Sequence, residues 1–291
     1  MWHCGRDWSA LFSKRLLCCC PRTDGTGKLE GRAETLLGEF AASSPQGGNA
    51  VIATKLAPYP SRLTAASFVD AARASLRRLR RDKLDVVQMH WSPANYAPWQ
   101  EPALVTGMGD VVEAGLADAV GVSNCGPREL RSVHAALARR GVRVVSAQVQ
   151  YSLLSRDPER SGMKEVCDEL GVTLIAYSPL CLGALSGKYD ADGALPAGPR
   201  GLLLGSLLRE ARQLLALQRD IAAARGVAVP QVAINWCRAK GTLPIPGVRN
   251  VSQACDAMGA LSWALDPAEV AELDKARASE AVRSAPRCHV G

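Results

Sequence analysis

A repeating unit that starts at residue 51 constrains the fold of this chain more than any other feature. In each unit a short run rich in β-branched residues is followed by a polar loop and then by a stretch with the apolar spacing of an amphipathic helix. The runs occupy residues 51–55, 84–90, 119–124, 144–151, 172–179 and 242–247. Strands that alternate with helices predict a parallel sheet covered by helices, which is either a doubly wound sheet or a (β/α)8 barrel.

A missing glycine-rich motif decides between these two folds. A doubly wound dinucleotide-binding fold would carry a G-x-G-x-x-G motif after an early strand, and this sequence has no such motif there. We therefore predict an α/β protein with the (β/α)8 TIM barrel fold. Only six of its eight strands can be identified, so the barrel is predicted to be incomplete.

Glycines and prolines mark the ends of the predicted helices. Pro127 suits a first helical position and Gly141 a C-terminal cap. Gly171 and Gly226 are placed to end two further helices, and Asp266 begins an N-cap, proline and acidic pattern that opens the last one. The predicted helices include residues 34–40, 128–140, 207–225 and 230–239, and the Gly- and Pro-rich segment 183–205 is predicted to be a loop over a ligand.

Residues 1–28 do not follow the repeating pattern. They show no clear helical or strand period. We predict that they form an atypical N-terminal segment, disordered or misplaced, and that residues 29–291 form one barrel domain.

Charge, cysteine content and hydrophobicity exclude several classes of protein. The net charge is +7, but the densest basic cluster has helical spacing beside leucines, which is typical of a solvated helix face and not of a nucleic-acid surface. Ten cysteines include no C-x-x-C pair, so we expect reduced, mostly buried thiols and no metal site. No apolar run has the roughly 20 residues of a membrane-spanning helix. The basic cluster consists of Arg73, Arg77, Arg78, Arg80, Arg81 and Lys83.

Polar residues stand at the ends of most predicted strands. In a (β/α)8 barrel the loops after the strands build the active site. A lone histidine such as His90 is more often a polar core residue, but here it shares its position with polar residues on neighbouring strands. The residues at such ends are Lys55, His90, Ser123, Asn124, Gln148, Tyr151, Tyr177 and Ser178.

Together these segments resemble the aldo-keto reductase superfamily, whose members are NADPH-dependent barrels that reduce carbonyl groups. The resemblance covers roughly residues 30 to 275 and is closest to plant and algal plastid-type members. Residues 51–55, 86–90 and 120–124 resemble the family's third, fourth and fifth strands. Residues 148–154 and 174–180 resemble its sixth and seventh, and residues 245–253 its eighth strand and phosphate-binding loop.

The resemblance implies NADP(H) as the cofactor and assigns its contacts. Ser123, Asn124 and Gln148 are expected to hold the nicotinamide carboxamide, and Tyr177 to stack on the ring. Arg249 is expected to meet the 2′-phosphate of NADP, because a guanidinium suits a dianion. Asp256 takes the place of the family's adenine-contacting glutamate. The residues expected along the pyrophosphate are Ser178, Pro179, Leu180, Gly183 and Lys188, and those near the adenosine phosphate are Gly247, Arg249 and Gln253.

The resemblance also identifies catalytic residues and a gap among them. Lys55 and His90 match the family's lysine and histidine, which activate the proton donor and orient the carbonyl. The family's aspartate and tyrosine lie just before the helix predicted at residues 34–40. In this chain that place is taken by residues 18–30, which contain neither the family's strand nor its tyrosine. Two strands are thus expected to be missing, which would leave the edges of the third and eighth strands unpaired.

Three hypotheses follow. The first is an oxidoreductase that reduces a small aldehyde or ketone with NADPH, with turnover impaired by the missing aspartate and tyrosine. The second is an NADP-binding regulatory or interaction protein. The third is that the N-terminus is not authentic and the chain does not fold alone. A chloroplast or cytoplasmic location is expected, and neither the particular carbonyl substrate nor the oligomeric state is predicted.

Overall fold

The computed structural model describes residues 16–18, 31–44, 47–94, 96–190, 193, 195 and 198–276. The predicted N-terminal segment 1–28 therefore lies outside the described residues except for residues 16–18. The chain divides into two compact units. The first unit comprises Met1–Val149 and Ser161–Leu174, and the second comprises Gln150–Arg160 and Ile175–Gly291.

The first unit is built on parallel strands that pair in chain order. They are β1 (Leu16–Cys18), β2 (Val51–Leu56), β3 (Leu84–Met89), β4 (Ala117–Ser123) and β5 (Val144–Gln150). Strands β2 to β5 are buried on both faces, as expected for a parallel sheet whose residues read as apolar runs. The predicted strands are therefore confirmed in this unit.

Strand β1 corrects the prediction that no strand precedes residue 31. Leu16 pairs with Val51, and Cys18 pairs with Ala53. The edge of β2 is thus covered over three residues, contrary to the unpaired edge expected there. The reason is that three extended residues suffice for pairing, whereas a periodic pattern needs a longer run to be recognised.

Two helices of the first unit have an end where the sequence predicts one, since one begins at Pro127 and another ends before Gly171. The helices of this unit are α1 (Arg32–Ser43), α2 (Ala65–Leu79), α3 (Glu101–Glu113), α4 (Pro127–Ala138) and α6 (Met163–Leu170). The short helix α5 (Asp157–Arg160) lies between α4 and α6 in the chain and belongs to the second unit. Thr64 caps α2 by accepting from the Ser67 N–H. Gly171 ends α6 with φ at 65°, the left-handed conformation that glycine adopts without strain.

The basic cluster lies on α2 and the turn after it, as predicted for a solvated helix face. Leu76 and Leu79 are buried, whereas Arg73 and Arg77 are exposed. Arg78 and Arg81 are exceptions, because Arg78 pairs with the buried carboxylate of Glu34 on α1, and Arg81, with 19% of its side chain exposed, pairs with Asp85 at 3.5 Å.

The second unit contains β7 (Leu243–Ile245) and the part of β6 (Thr173–Tyr177) from Ile175 onward, and these two strands pair in parallel. Its longer helices are α7 (Pro199–Glu210), α8 (Arg212–Arg225), α9 (Val229–Ala239), α10 (Val251–Gly259) and α11 (Pro267–Ala276). The single helix predicted over residues 207–225 is wrong, because the chain breaks at Ala211, which is buried and caps both helices. The predicted loop 183–205 is shorter than expected, since α7 starts at Pro199.

An ionic network closes around one tryptophan of the second unit. Trp236 on α9 is fully buried, and its Nε1 donates to Asp274 Oδ1 at 3.0 Å. Asp274 also pairs with Arg156 at 2.8 Å and with Lys240 at 3.0 Å. Both cations pair in turn with Glu159. The network therefore joins α5, α9 and α11.

Five cysteines are free thiols, namely Cys125, Cys167, Cys181, Cys237 and Cys255. Cys167 and Cys237 are buried, and Cys255 on α10 is exposed. Burial raises the pKa of the Cys167 thiol to about 12, so it stays protonated at neutral pH. Within the described residues, no helix has the length and apolarity needed to cross a membrane.

Candidate functional site

Lys55 lies on the face of β2 that points away from the helices of the first unit. The preceding residue, Thr54, donates its hydroxyl to the Glu34 carboxylate on α1, so Thr54 faces the helix layer. Side chains alternate along a strand, and Lys55 therefore faces the opposite side. Its side chain is buried, with 5% of its surface exposed.

The register places three further residues level with Lys55 on that face. Lys55 is paired with Gln88 on β3, Gln88 with Gly121 on β4, and Gly121 with Ser146 on β5. Partners in neighbouring parallel strands point to the same face. Gln88 Nε2 donates to Ser146 Oγ at 2.9 Å, and both side chains are fully buried. We call Lys55, Gln88, Gly121 and Ser146 the lower polar layer.

A second layer lies two residues further along the same strands. His90 N donates to Leu56 O at 3.0 Å, so His90 continues the pairing of β3 with β2. Ser123 pairs with Gln148. Because each of these residues is two positions beyond a member of the lower layer, we call His90, Ser123 and Gln148 the upper polar layer. It lies at the carboxyl ends of the strands.

A register shift in β5 aims Ser146 and Gln148 at this face. Val120 pairs with Val144, whereas the next residue, Gly121, pairs with Ser146, so Val145 is an extra residue in β5. If Val145 were present without the register shift, it would pair with Gly121, and alternation would place Ser146 on the same side as the helix-facing Val144. Such irregularities re-aim side chains, and they are common beside active sites.

Asn124 links the ends of three strands. It has a left-handed backbone with φ at 51°, which asparagine tolerates better than most residues. Its N–H donates to Gln148 O at 2.9 Å, and its Nδ2 donates to His90 O at 3.2 Å. Asn124 thus holds the carboxyl ends of β3, β4 and β5 together.

The charge state of His90 follows from its surroundings. Burial, with a smaller contribution from the Lys55 ammonium, lowers the pKa of His90 from 6.5 to about 4. At neutral pH the imidazole is therefore uncharged and carries one N–H donor. A neutral imidazole beside an ammonium is suited to hold a carbonyl oxygen that gains negative charge.

Ser123 provides an unusual buried hydroxyl. It is 1% exposed, and within the described part of the chain its Oγ has no hydrogen-bond partner. Such a group is costly unless a partner is supplied from elsewhere. An amide such as the carboxamide of nicotinamide fits this requirement, because it can donate to or accept from the hydroxyl.

Aromatic side chains lie beside His90 of the upper layer. The rings of His90 and Trp91 lie 4.7 Å apart, and Tyr59 meets Trp91 edge to face at 6.2 Å. Trp91 Nε1 donates to the hydroxyl of Tyr96, which donates to Pro58 O at 3.2 Å. The loops after β2 and β3 therefore present flat apolar surfaces next to His90.

The second unit carries the residues predicted along the cofactor's pyrophosphate. Tyr177 ends β6, and its carbonyl accepts from Tyr151 N at 3.3 Å. Ser178, Pro179 and Leu180 form the turn that follows, in which Ser178 has φ at 53°. Backbone in this sparsely populated region is kept where function requires it.

The turn continues into a 3-10 helix, Cys181–Ser186, with Leu182 and Gly183 also at positive φ. Gln218 on α8 is fully buried and holds this segment by donating to Leu185 O and to Val229 O, both at 2.9 Å. Lys188 is exposed just beyond it. The segment therefore has an unusual backbone that is fixed from beneath by one side chain.

The loop after β7 leads into α10. Asn250 caps the helix by accepting from the Gln253 N–H, and the Gln253 side chain accepts from Arg249 N at 2.9 Å. Arg249 and Gly247 are exposed, and Asp256 is half-buried on the helix. An exposed guanidinium beside a helix N-terminus is suited to bind a phosphate group.

Sequence reasoning missed three residues that fix these segments. Gln88 and Ser146 were assigned only to strands, and Gln218 only to a helix. Gln88 could have been found, since it lies two residues before His90 and so must share its face. Ser146 and Gln218 offered no such sign, because their roles depend on the register shift and on tertiary packing.

Comparison with known proteins connects this geometry to one family. The aldo/keto reductase family model matches residues 29–278. The chain is 51% identical over 257 residues to a protein from Arabidopsis thaliana named pyridoxal reductase, chloroplastic, covering 87% of this chain and 70% of that protein. It is 35% identical over 230 residues to an uncharacterized oxidoreductase of Mycobacterium tuberculosis, covering 77% of this chain and 67% of the relative.

A solved structure supports the same assignment. A thermostable aldo-keto reductase crystallised with the inhibitor epalrestat matches with a TM-score of 0.65 and 26% identity, covering 84% of this chain and 78% of the other. The fold class predicted from the sequence, an incomplete aldo-keto reductase type (β/α)8 fold, is confirmed. The chain belongs to the aldo/keto reductase family.

Proposed function

We propose that this protein reduces the carbonyl group of a small aldehyde with NADPH, and that pyridoxal or a similar aromatic aldehyde is its substrate. The observation that carries the proposal is the stacking of Lys55 and His90 on one buried face at the carboxyl ends of parallel strands. The substrate class is supported by the name of the Arabidopsis relative and by the flat rings of Tyr59 and Trp91 beside His90.

The two candidate catalytic residues would act on the carbonyl oxygen. When bound, NADPH supplies the hydride that adds to the carbonyl carbon. The oxygen then gains negative charge, which the Lys55 ammonium and the N–H of neutral His90 stabilise. Because the pKa of His90 is lowered to about 4, the imidazole acts as a donor without competing with Lys55 for charge.

The cofactor residues are proposed from the resemblance and from their local fit. In the first unit, the unsatisfied hydroxyl of Ser123 would bind the carboxamide together with Asn124 and Gln148. In the second unit, Tyr177 would stack on the nicotinamide ring and Arg249 would favour NADP over NAD. The remaining contacts are proposed for Ser178, Pro179, Leu180, Gly183, Lys188, Gly247, Gln253 and Asp256.

The proton donor implied by the resemblance is not identified in this sequence. The first tyrosine in the sequence is Tyr59, so the position that holds the family's proton-donating tyrosine has no counterpart. General acid catalysis is typically worth 10² to 10⁴ in rate. We therefore expect the rate of carbonyl reduction to be at least about 10²-fold lower than that of the Arabidopsis relative.

The same observation favours a second candidate function, an NADP-binding regulatory protein with negligible turnover. We further propose that residues 29–291 act as one oxidoreductase domain and that the protein is located in the chloroplast, as the name of the Arabidopsis relative suggests.

The test combines binding with turnover. NADPH titration followed by tryptophan fluorescence measures affinity, and NADPH oxidation with pyridoxal or para-nitrobenzaldehyde measures reduction. We expect binding in both cases, slow oxidation if the protein is an enzyme, and none if it is a regulator. Lys55→Met should abolish the slow oxidation while NADPH still binds, and Arg249→Ala should weaken NADPH binding more than NADH binding. Oxidation at rates usual for the family, or no binding of NADPH at all, would contradict the proposal.

A further inference from the structure

We propose that Arg238 and Gln231 on α9 are positioning residues for the proposed NADP site, because they hold the C-terminal end of α10 and thereby place Arg249 at its N-terminal end. The inference rests on the proposed function, which gives Arg249 its contact with the 2′-phosphate. Neither the family resemblance nor the sequence pattern assigns a role to Arg238 or Gln231. All of these residues belong to the second unit.

Helix α10 has little buried contact along its own length. None of its nine residues is buried, and Val251 and Met258 are 78% and 64% exposed. Helices of globular proteins are usually held in place by a buried apolar face. Because α10 lacks such a face, its position is set largely at its two ends.

Arg238 holds the turn that ends α10. Its Nη1 donates to Ala260 O and, at 3.0 Å, to Trp263 O. The same nitrogen donates at 2.6 Å to Oδ1 of Asn235, which is 2% exposed and fixes the direction of the guanidinium. The last carbonyls of a helix lack partners within the helix and carry partial negative charge, so a guanidinium is well suited to bind them.

Gln231 holds the same turn from one helical turn further along α9. Its Oε1 accepts from Trp263 Nε1 at 2.9 Å. A Cβ atom on Gly259 would lie 2.5 Å from Gln231 Nε2, so the last residue of α10 packs directly against this side chain. Positions 231, 235 and 238 share one face of a helix. We call Gln231, Asn235 and Arg238 the α10 clamp.

The opposite end of α10 carries the proposed phosphate contacts. Asn250 caps the helix, and Arg249 N donates to Gln253 Oε1 at 2.9 Å, so Arg249 is tied to the first turn. A helix of nine residues is about 13 Å long, so a tilt of about 5° at Ala260 moves Arg249 by about 1 Å. A guanidinium binds phosphate with defined geometry. Such a tilt therefore weakens binding of NADPH, whereas NADH has no 2′-phosphate to lose.

The hold on α10 is tested first, in the full chain without nucleotide. Hydrogen–deuterium exchange of the amides of residues 251–259 reports how firmly the helix is held. We expect Arg238→Leu to accelerate this exchange about tenfold. Arg238→Lys should have a smaller effect, because an ammonium keeps the charge but not the planar set of donors.

Asp274→Asn is the matched control for general damage. Asp274 accepts from Trp236 Nε1 at 3.0 Å, and position 236 lies on a different face of α9 from the α10 clamp. The variant should therefore be less stable than wild type and still show unchanged exchange of the α10 amides.

The effect on the cofactor is tested by fluorescence titration with NADPH and with NADH. Arg238→Leu should raise the Kd for NADPH about tenfold and the Kd for NADH less than about twofold. Gly259→Ala should act in the same direction, since its methyl group pushes Gln231 away from Trp263. Arg238→Lys should recover part of the NADPH affinity, and Asp274→Asn should leave the ratio of the two Kd values unchanged.

Two results would overturn the proposal. One is a ratio of the two Kd values that is the same in wild type, Arg238→Leu and Gly259→Ala. The other is exchange of the α10 amides that Arg238→Leu does not accelerate. If the exchange accelerates as expected but the wild-type protein binds neither nucleotide, the positioning of Arg249 falls with the proposed function, and the hold of the α10 clamp on the helix stands.

Discussion

The carboxylate of Glu34 offers the sharpest test of what holds the first unit together. It is 5% exposed on α1, accepts from Arg78 Nε at 2.6 Å on α2, and accepts from the hydroxyl of Thr54 on β2. Glu39 makes a matched control, since it lies on the same helix and pairs with Arg80 after α2 at 3.3 Å, but with both side chains about half exposed.

The expected magnitudes follow from burial. A hydrogen bond to a charged group contributes about 1.5 to 3 kcal/mol, and breaking a buried ion pair costs about 3 to 5 kcal/mol. Arg78 is 35% exposed and can regain water, so we expect Glu34→Gln to lower the free energy of unfolding by about 2 to 3 kcal/mol. An exposed pair contributes about 0 to 1 kcal/mol, and Glu39→Gln should therefore lower the free energy of unfolding by about 1 kcal/mol at most.

Urea denaturation followed by circular dichroism measures both variants. Arg78→Met and the double variant with Glu34→Gln complete a mutant cycle, for which we expect a coupling energy of at least about 1 kcal/mol. The Arg78→Met variant alone leaves a buried carboxylate with one partner and should be as destabilised as Glu34→Gln. If Glu34→Gln and Glu39→Gln differ by less than about 0.5 kcal/mol, the reasoning from burial is refuted.

Three further predictions concern other parts of the chain. Since the pKa of His90 is lowered from 6.5 to about 4, unfolding takes up a proton in this range. The contribution of His90 to the free energy of unfolding is fully present above pH 6.5 and is lost as the pH falls toward 4, and it amounts to about 1 to 2 kcal/mol after allowance for partial exposure. Urea denaturation at a series of pH values measures this loss, and a His90→Asn variant that loses stability equally steeply in acid would refute the prediction. Gln218→Leu should raise the Kd for NADPH about tenfold by loosening the 3-10 segment, whereas the exposed Gln213→Leu should not, as measured by fluorescence titration. Asp274→Asn should lower the free energy of unfolding, measured by urea denaturation, by about 2 kcal/mol. Asp168→Asn is the near-neutral control, because Asp168 pairs with Lys164 at the surface.

Much of the fold was predictable because apolar residues recur along the sequence with the period of the strand or helix in which they are buried. Three strands begin at the predicted residue, and the others begin within two residues of it. The left-handed glycines at 141, 171 and 226 lie where helix ends were predicted. Strand β1 could not be predicted, since three residues carry no period, and the break at Ala211 depends on packing that no local residue signals.

The residues of the candidate site at the strand ends were predictable, but those one layer further into the sheet were not. Placing polar residues at strand ends identified Lys55 and His90, because parallel strands bring their carboxyl ends to one edge. The other members of the lower layer were not identified, since a glutamine inside an apolar run is interpreted as an ordinary irregularity of the strand. The role of Gln88 depends on the open space at Gly121 and on the register shift of β5, which are properties of the assembled sheet.

The extra residue in β5 has a consequence for how such sequences can change over time. Loops between the strands can lengthen or shorten while the strands keep their alignment. Val145 shares this freedom, because deleting it would leave Val144 opposite Val120 and Ser146 opposite Gly121, and ordinary alternation would keep Ser146 and Gln148 on the face of Lys55. A gap at position 145 in a related sequence would therefore be compatible with the same polar layers, whereas a substitution at Ser146 would change the lower polar layer itself.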